Sequence, residues 1–148
     1  MSGYGGALLL DNSVWARLLD GRLVGSSREA VEASLAEGEL WLCPPSLLEI
    51  SYSARDSEQF AALAMELDAV PRVPLRTEAG AAAVSAQREL AAAAGVSHRV
   101  KPIDLLIAAV AATEELGVLH FDHDYDAIAQ HTSLSFESVW AAPRGSID

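Results

Sequence analysis

With 148 residues, 51% of them hydrophobic, the chain has the length of one domain and ample material for a buried core, and its lone cysteine, Cys43, excludes an intrachain disulfide and the Cys-rich zinc patterns. A formal net charge of -11 excludes a general phosphate-neutralising surface, which needs excess Lys and Arg, and suits a basic protein partner instead. Met1–Gly6 lacks the positive charge of a signal peptide and the longest apolar run, Leu105–Ala112, is too short to span a bilayer, so the chain reads as cytoplasmic, with no membrane role.

In chain order, Ala7–Leu10 is an unbroken apolar run, as expected of a central strand buried on both faces. Helices are expected over Ser13–Leu19 and Ser26–Ala36; in the second, Ser26 and Ser27 precede Glu29 as N-caps and Gly38 follows the end. Leu40–Cys43 reads as a strand, followed by helices over Ser46–Ala54 and Ser57–Ala69 and another strand over Arg72–Leu75. Thr77–Ala94 is Ala-rich, with the helix propensity that implies, and Gly95 follows it. Pro102 opens a helix over Ile103–Leu116, which leads to a strand at Val118–Phe121, a short helix at Tyr125–Gln130 and a partly alternating edge strand at Leu134–Val139. Strands alternating with helices predict an α/β fold, a parallel sheet of about five strands flanked by helices. Without a repeat or linker, residues 1–148 form one domain, and only the tail, Ala141–Asp148, is expected to fray.

Two acids follow strands directly: Asp11 after the first, and Asp122 at the end of Val118-Leu-His-Phe-Asp122. In an open parallel sheet ligands bind in the crevice outside those strand ends. Glu49 and Asp104 lie on helices instead, each flanked by apolar residues, and Asp104 shares a stripe with Ala108 and Ala111 along which another backbone can approach closely. Four converging carboxylates raise one another's pKa values and repel unless cations neutralise them, and all-oxygen ligation suits Mg²⁺ or Mn²⁺. Such a site lowers the pKa of a bound water and stabilises charge on a scissile phosphate, so phosphodiester hydrolysis is the chemistry it fits.

The same residues carry a family resemblance. Leu8-Leu-Leu-Asp11-Asn-Ser13-Val-Trp15 resembles the opening strand and turn of PIN domains, and Pro45-Ser-Leu-Leu-Glu49-Ile the helix that bears their Glu. Pro102-Ile-Asp104-Leu-Leu-Ile-Ala108-Ala109 is similar to their third acidic motif, and Val118-Leu-His-Phe-Asp122-His-Asp124-Tyr125-Asp126-Ala-Ile128-Ala to the fourth, in matching order across most of the chain. No one motif is specific, but the combination resembles the VapC toxins of toxin–antitoxin pairs. The resemblance implies a PIN fold, endoribonuclease activity dependent on Mg²⁺ or Mn²⁺, a homodimer, and inhibition by an antitoxin with a basic tail. It makes Asp11, Glu49, Asp104 and Asp122 the catalytic metal-site carboxylates, Asp124 an additional ligand and Ser13 a hydroxyl beside the first Asp. The chain departs from the pattern at His120, where the family usually has Thr or Ser, and His can still donate to a carboxylate or bind phosphate.

Plainer roles exist for most of these residues. Asp11 alone reads as a helix N-cap, Glu49 as an exposed helix residue and Asp104 as a first-turn acid favoured by the helix dipole. Asp126 reads as a turn or capping residue, His98, His123 and His131 as surface, Trp15 and Trp41 as core or interface, and Arg17, Arg99 and Lys101 as RNA or antitoxin contacts or ordinary solvated charges. A phosphatase of the haloacid-dehalogenase type needs an Asp two residues after the first, where this chain has Ser13, and a phosphoacceptor receiver needs one ending the third strand, where Arg72–Leu75 has none. A catalytically silent PIN-like interaction module would have lost ligands, and all four acids are present.

Overall fold

Leu8, Leu9 and Leu10 form β1, the interior strand that the unbroken apolar run requires, and all three are buried. A computed structural model describes residues 3–93, 95 and 98–147. Met1, the predicted helix end Ala94 and the tail end Asp148 lie outside them. The elements run β1 (Leu8–Leu10), α1 (Asn12–Leu19), α2 (Gly25–Ala36), β2 (Leu40–Trp41), α3 (Pro44–Tyr52), α4 (Ser57–Leu67), α5 (Thr77–Ala92), α6 (Pro102–Glu114), β3 (Gly117–His120), α7 (Asp124–His131) and β4 (Ser138–Trp140). The sheet order is β2-β1-β3-β4, parallel throughout, with Leu8 opposite Leu40 and Gly117, and Val118 opposite Ser138.

Alternation along β1 divides the core between the two faces of the sheet. Leu9 joins Val118 and the inner faces of α5, α6 and α7, whereas Leu8 and Leu10 pack with Leu119 against Val14, Trp15, Val31, Ile50 and Leu67. Trp15 is buried and Trp41 packs against the first cluster, so both serve the core.

The sheet has four strands among the described residues, not about five. Arg72 forms only an isolated bridge with Leu42, because Pro71 and Pro74 lack the N–H groups that would extend a ladder on either side. The edge strand is shorter than its apolar pattern: β4 begins at Ser138, while Leu134 and Phe136 pack into the core from irregular backbone. Two helix starts also differ. Helix α2 begins at Gly25 after Val24, without the side-chain cap expected from Ser26 or Ser27, and α3 begins at Pro44, whose fixed φ suits a first helical position. In the tail, Ala141 and Ala142 are buried and the Tyr4 hydroxyl donates to the Ala141 carbonyl at 2.8 Å.

Helix α6 ends on Glu115, which takes a left-handed conformation with φ 59°, and the chain enters β3 through Gly117. A Cβ at Gly117 would stand 2.6 Å from Leu8 Cδ2 and 2.9 Å from the Glu137 carbonyl oxygen, so the strand is squeezed on both sides. Gly117→Ala is therefore expected to lower stability by roughly 1–3 kcal/mol, the usual cost of overpacking, read as a shift in the denaturant midpoint. An unchanged midpoint would mean that β1, β3 and the segment before β4 can separate freely.

Candidate active site

Asp11 ends β1 and caps α1. Its Oδ2 accepts from the Ser13 backbone N–H at 3.0 Å and from Ser13 Oγ at 2.5 Å, and its Oδ1 accepts from the Tyr125 hydroxyl at 2.7 Å. Ser13 Oγ in turn accepts from the Phe121 N–H at 2.9 Å, which joins the start of α1 to the turn after β3. Asp11 therefore serves as the N-cap of α1 and also lines a cleft. Its backbone N–H continues the ladder by donating to the Leu119 carbonyl at 3.0 Å.

Asp104, in the first turn of α6, is 1% exposed. The buried Ala108 and Ala111 follow it on the same helix, the small-residue stripe that lets the core close over a carboxylate. Its Oδ1 lies 3.3 Å from the Tyr125 hydroxyl, and its Oδ2 is buried without a hydrogen-bond partner. Burial, reinforced by the charge of Asp11, pushes its pKa up to about 8. Glu49, on α3, is also raised, first by burial and then by Asp11, and its Oε2 is a second buried oxygen without a donor.

Asp122 behaves differently because it has donors. Burial would raise it, but the Asp124 N–H at 3.0 Å from Oδ1 and the Lys101 ammonium at 3.2 Å from Oδ2 outweigh that and hold it below the usual carboxylate range. Lys101 also stands 3.7 Å from Asp104 Oδ2. Burial works to lower its own pKa, but Asp104 and Asp122 overcome this and raise it, so the residue stays an ammonium beside them.

His120 is fully buried, and its ring is fixed at both nitrogens. Nδ1 accepts from the Asp122 N–H at 3.1 Å, so Nε2 carries the proton and gives it to Ser138 Oγ at 2.7 Å. Ser138 passes a bond on to Asp126 Oδ1 at 2.8 Å, and Trp140 Nε1 donates to Asp126 Oδ2 at 2.9 Å. Burial, working against the nearby Asp126 and Asp11, lowers the His120 pKa to about 4, so the neutral tautomer that this chain of bonds requires persists at ordinary pH. Asp126, which reads in sequence as a capping residue, anchors the network.

Asp11, Glu49, Asp122 and Lys101 open onto a cleft of about 560 Å³ whose wall includes Ser13, Arg17, Phe121, Trp140 and Arg144, whereas the buried Asp104 is not among its lining residues. Arg17 lies over the Phe121 ring at 4.8 Å, whereas Arg99 does not line the cleft. Tyr125, Trp140 and the bridging position of Lys101 were not evident in sequence. The one available signal for Tyr125 was its place in the first turn of the helix following Asp122, where a phenol can turn back toward the strand ends.

Among the described residues, Asp122, His123 and Asp124 are the group whose ligand atoms all lie within 4.8 Å of one another, and Asp11, Glu49 and Asp104 fall outside that group. A divalent cation fits the site on its donor set: Asp104 Oδ2 and Glu49 Oε2 are buried acceptors without donors, beside two further carboxylates.

Comparison with known proteins places this geometry. The PIN domain family matches residues 8–130. The chain is 41% identical over 116 residues to Ribonuclease VapC18 of Mycobacterium tuberculosis, covering 78% of this chain and 83% of the relative. The chain belongs to the PIN-domain family, among its VapC members. Ribonuclease VapC51 of the same organism is 34% identical over 140 residues, 95% of this chain and 96% of its own. The fold matches that of VapBC-5 from Mycobacterium tuberculosis, with a TM-score of 0.62 at 24% identity over 90% of this chain and 99% of that one. It also matches the DNA-bound VapBC from Salmonella typhimurium, with a TM-score of 0.69 at 16% identity over 93% and 99%.

The buried acid of this PIN domain makes its stability depend on pH. Folded Asp104 keeps its proton up to about 8, whereas the unfolded chain releases it near the ordinary value of 3.8, so the stability it allows below 3.8 is lost progressively as pH rises toward 8. His120, lowered from 6.5 to about 4, works in the opposite sense, but only below pH 6.5. Between pH 6.5 and 8 the melting temperature of the metal-free protein should therefore fall more steeply than that of Asp104→Asn, which has no charge to acquire. Equal slopes would refute the buried, proton-retaining state of Asp104.

Proposed function

We propose that this chain is a metal-dependent endoribonuclease that hydrolyses RNA phosphodiester bonds as the toxin of a toxin–antitoxin pair. The observation that carries the reading is the pair of buried oxygens without donors, Asp104 Oδ2 and Glu49 Oε2, beside Asp11 and Asp122 at the strand ends. The VapC relatives, which bear the name ribonuclease, support it.

Asp11, Glu49, Asp104 and Asp122 would hold Mg²⁺ or Mn²⁺, with Asp124 as an additional ligand. When bound, the cation lowers the pKa of an attacking water and stabilises charge on the phosphate. The protein supplies the positioning. Ser13 and Tyr125 fix the two oxygens of Asp11, and His120 fixes the backbone of Asp122, so the carboxylates are set before substrate arrives. Arg17, Lys101 and Arg144 give the cleft its positive charge toward RNA. Residues 1–148 act as one domain in the cytoplasm.

Asp122→Asn is expected to remove Mn²⁺-dependent cleavage of single-stranded RNA by at least about a hundred-fold while leaving the melting temperature near that of wild type. Cleavage at the wild-type rate by that variant, or undiminished by EDTA, would overturn the reading. In the same assay a basic antitoxin segment should suppress cleavage by placing Arg against the pocket acids; fold neighbours that are toxin–antitoxin complexes support such a partner. Suppression unaffected by replacing the segment's Arg residues would place that contact elsewhere.

The same reading includes a homodimer, since isologous dimers are the commonest oligomers and exposed Leu48, Tyr52, Phe60 and Met65 offer apolar surface. Light scattering should give about twice 15.6 kDa. A monomeric mass at micromolar concentration would remove the dimer from the reading.

A further inference from the structure

The chain has one lysine, and it lies against the acids. Lys101 directly precedes Pro102, which restricts its backbone, seen here at φ -58° and ψ 131°, so its Cα is fixed at the rim of the cleft. The side chain is 57% exposed, yet Nζ reaches Asp122 Oδ2 at 3.2 Å and Asp104 Oδ2 at 3.7 Å. The two carboxylates are held in the protein, whereas the ammonium is at the end of a flexible, solvated stem.

We propose that Lys101 is a tethered counter-ion that occupies the metal side of Asp104 and Asp122 in the metal-free protein and gives way to a divalent cation. Displaced, it becomes a phosphate contact in the cleft. The proposal rests on the metal reading above and identifies what that metal must displace.

The exchange follows from distance and charge. A divalent cation held by these oxygens would stand closer to them than Nζ does, so an ammonium left in place would face it at close range and be repelled. One of the two cations has to leave, and the exposed stem lets Lys101 move without disturbing the core. The pairing is also weak enough to break, because a half-exposed ion pair contributes little, whereas several carboxylates act on a divalent ion together. Residue type agrees with this role. Lys carries a compact charge on rotatable bonds, whereas an Arg at 101 would bind carboxylate in a planar, two-point manner that resists exchange. Once released, Nζ remains in the cleft that Arg17 and Arg144 also line.

The test is calorimetric titration of Mn²⁺ into the metal-free full chain at fixed pH and salt, for wild type, Lys101→Met and Lys101→Gln. Both neutral variants should bind Mn²⁺ about five-fold more tightly, the scale of a partly exposed ion pair. On short single-stranded RNA at saturating Mn²⁺, both should raise KM with little change in kcat. Two neutral side chains of different shape are compared so that a folding fault peculiar to one does not decide the result, and melting temperature identifies such a fault. Mn²⁺ affinity equal to or weaker than wild type in both variants would overturn the counter-ion role. Unchanged KM would overturn the phosphate role. If wild type shows no saturable Mn²⁺ binding, the metal reading falls and this proposal falls with it; binding by wild type that the variants leave unchanged overturns the proposal alone.

Discussion

Two carboxylates that the fold buries within reach of one phenol impose the constraint around which this molecule is arranged. The Tyr125 hydroxyl lies 2.7 Å from Asp11 Oδ1 and 3.3 Å from Asp104 Oδ1 and has a single proton to give. Asp11 has that donor and two from Ser13, whereas Asp104 has burial and like charge and responds by retaining its proton. Several of the elements that enter the region compensate, although α3 adds Glu49 without a donor for its buried Oε2. The turn after β3 ties itself to Ser13, α6 places Lys101 at its N-terminus, and α7 contributes both Tyr125 and the Asp124 N–H. A carboxylate site without bound cation is a standing electrostatic cost, and hydrogen-bond donors only partly offset it.

The sheet explains why the acids meet at all. Parallel strands β1 and β3 are neighbours and point the same way, so Asp11 and Asp122, each following one of them, emerge at the same edge although more than a hundred residues separate them. This much was legible in the sequence, because an apolar run followed by an acid is a local pattern, and the fold it implies gives that pattern its place. Tyr125 and Lys101 were less legible because their roles exist only across elements. Nothing in the spacing of Tyr125 from Asp11 suggests contact, and Lys101 reads as an RNA or antitoxin contact or a solvated charge until Asp104 and Asp122 are seen to converge on it. The error at Arg72–Leu75 was of another kind: hydropathy outweighed Pro71 and Pro74, whose missing N–H groups limit pairing to one bridge.

His120 shows how a departure from a family pattern can be absorbed. A Ser or Thr hydroxyl at the end of β3 would offer one short polar group, whereas the imidazole extends from the Asp122 N–H to Ser138 and, through it, to Asp126 and Trp140. The ring must stay neutral to accept at Nδ1, and complete burial keeps it so despite three nearby acids. The larger residue is therefore matched by partners from α7 and β4. The cleft wall and the backbone beneath Asp122 become one hydrogen-bonded unit, and the plain reading of Asp126 as a cap misses this because its partners lie on β4, a separate element.

The overall charge and the character of the cleft point in opposite directions, and the structure shows why both hold. A net charge of -11 repels polyanions at long range, where the whole surface is felt, but the field within a Debye length of the cleft depends on the groups that line it. There Arg17, Lys101 and Arg144 stand beside the acids, and Arg17 and Arg144 are also placed over the Phe121 and Trp140 rings. A phosphate that approaches the cleft would therefore meet cations and aromatic faces combined. On the proposed reading, neutralisation of the carboxylates by metal would turn the cleft from mixed to net attractive, and cation occupancy would then govern phosphate approach as well. In such an arrangement an acidic surface does not argue against a nucleic-acid substrate. On the proposed reading it would direct RNA to the cleft and leave the remaining surface suited to a basic protein partner.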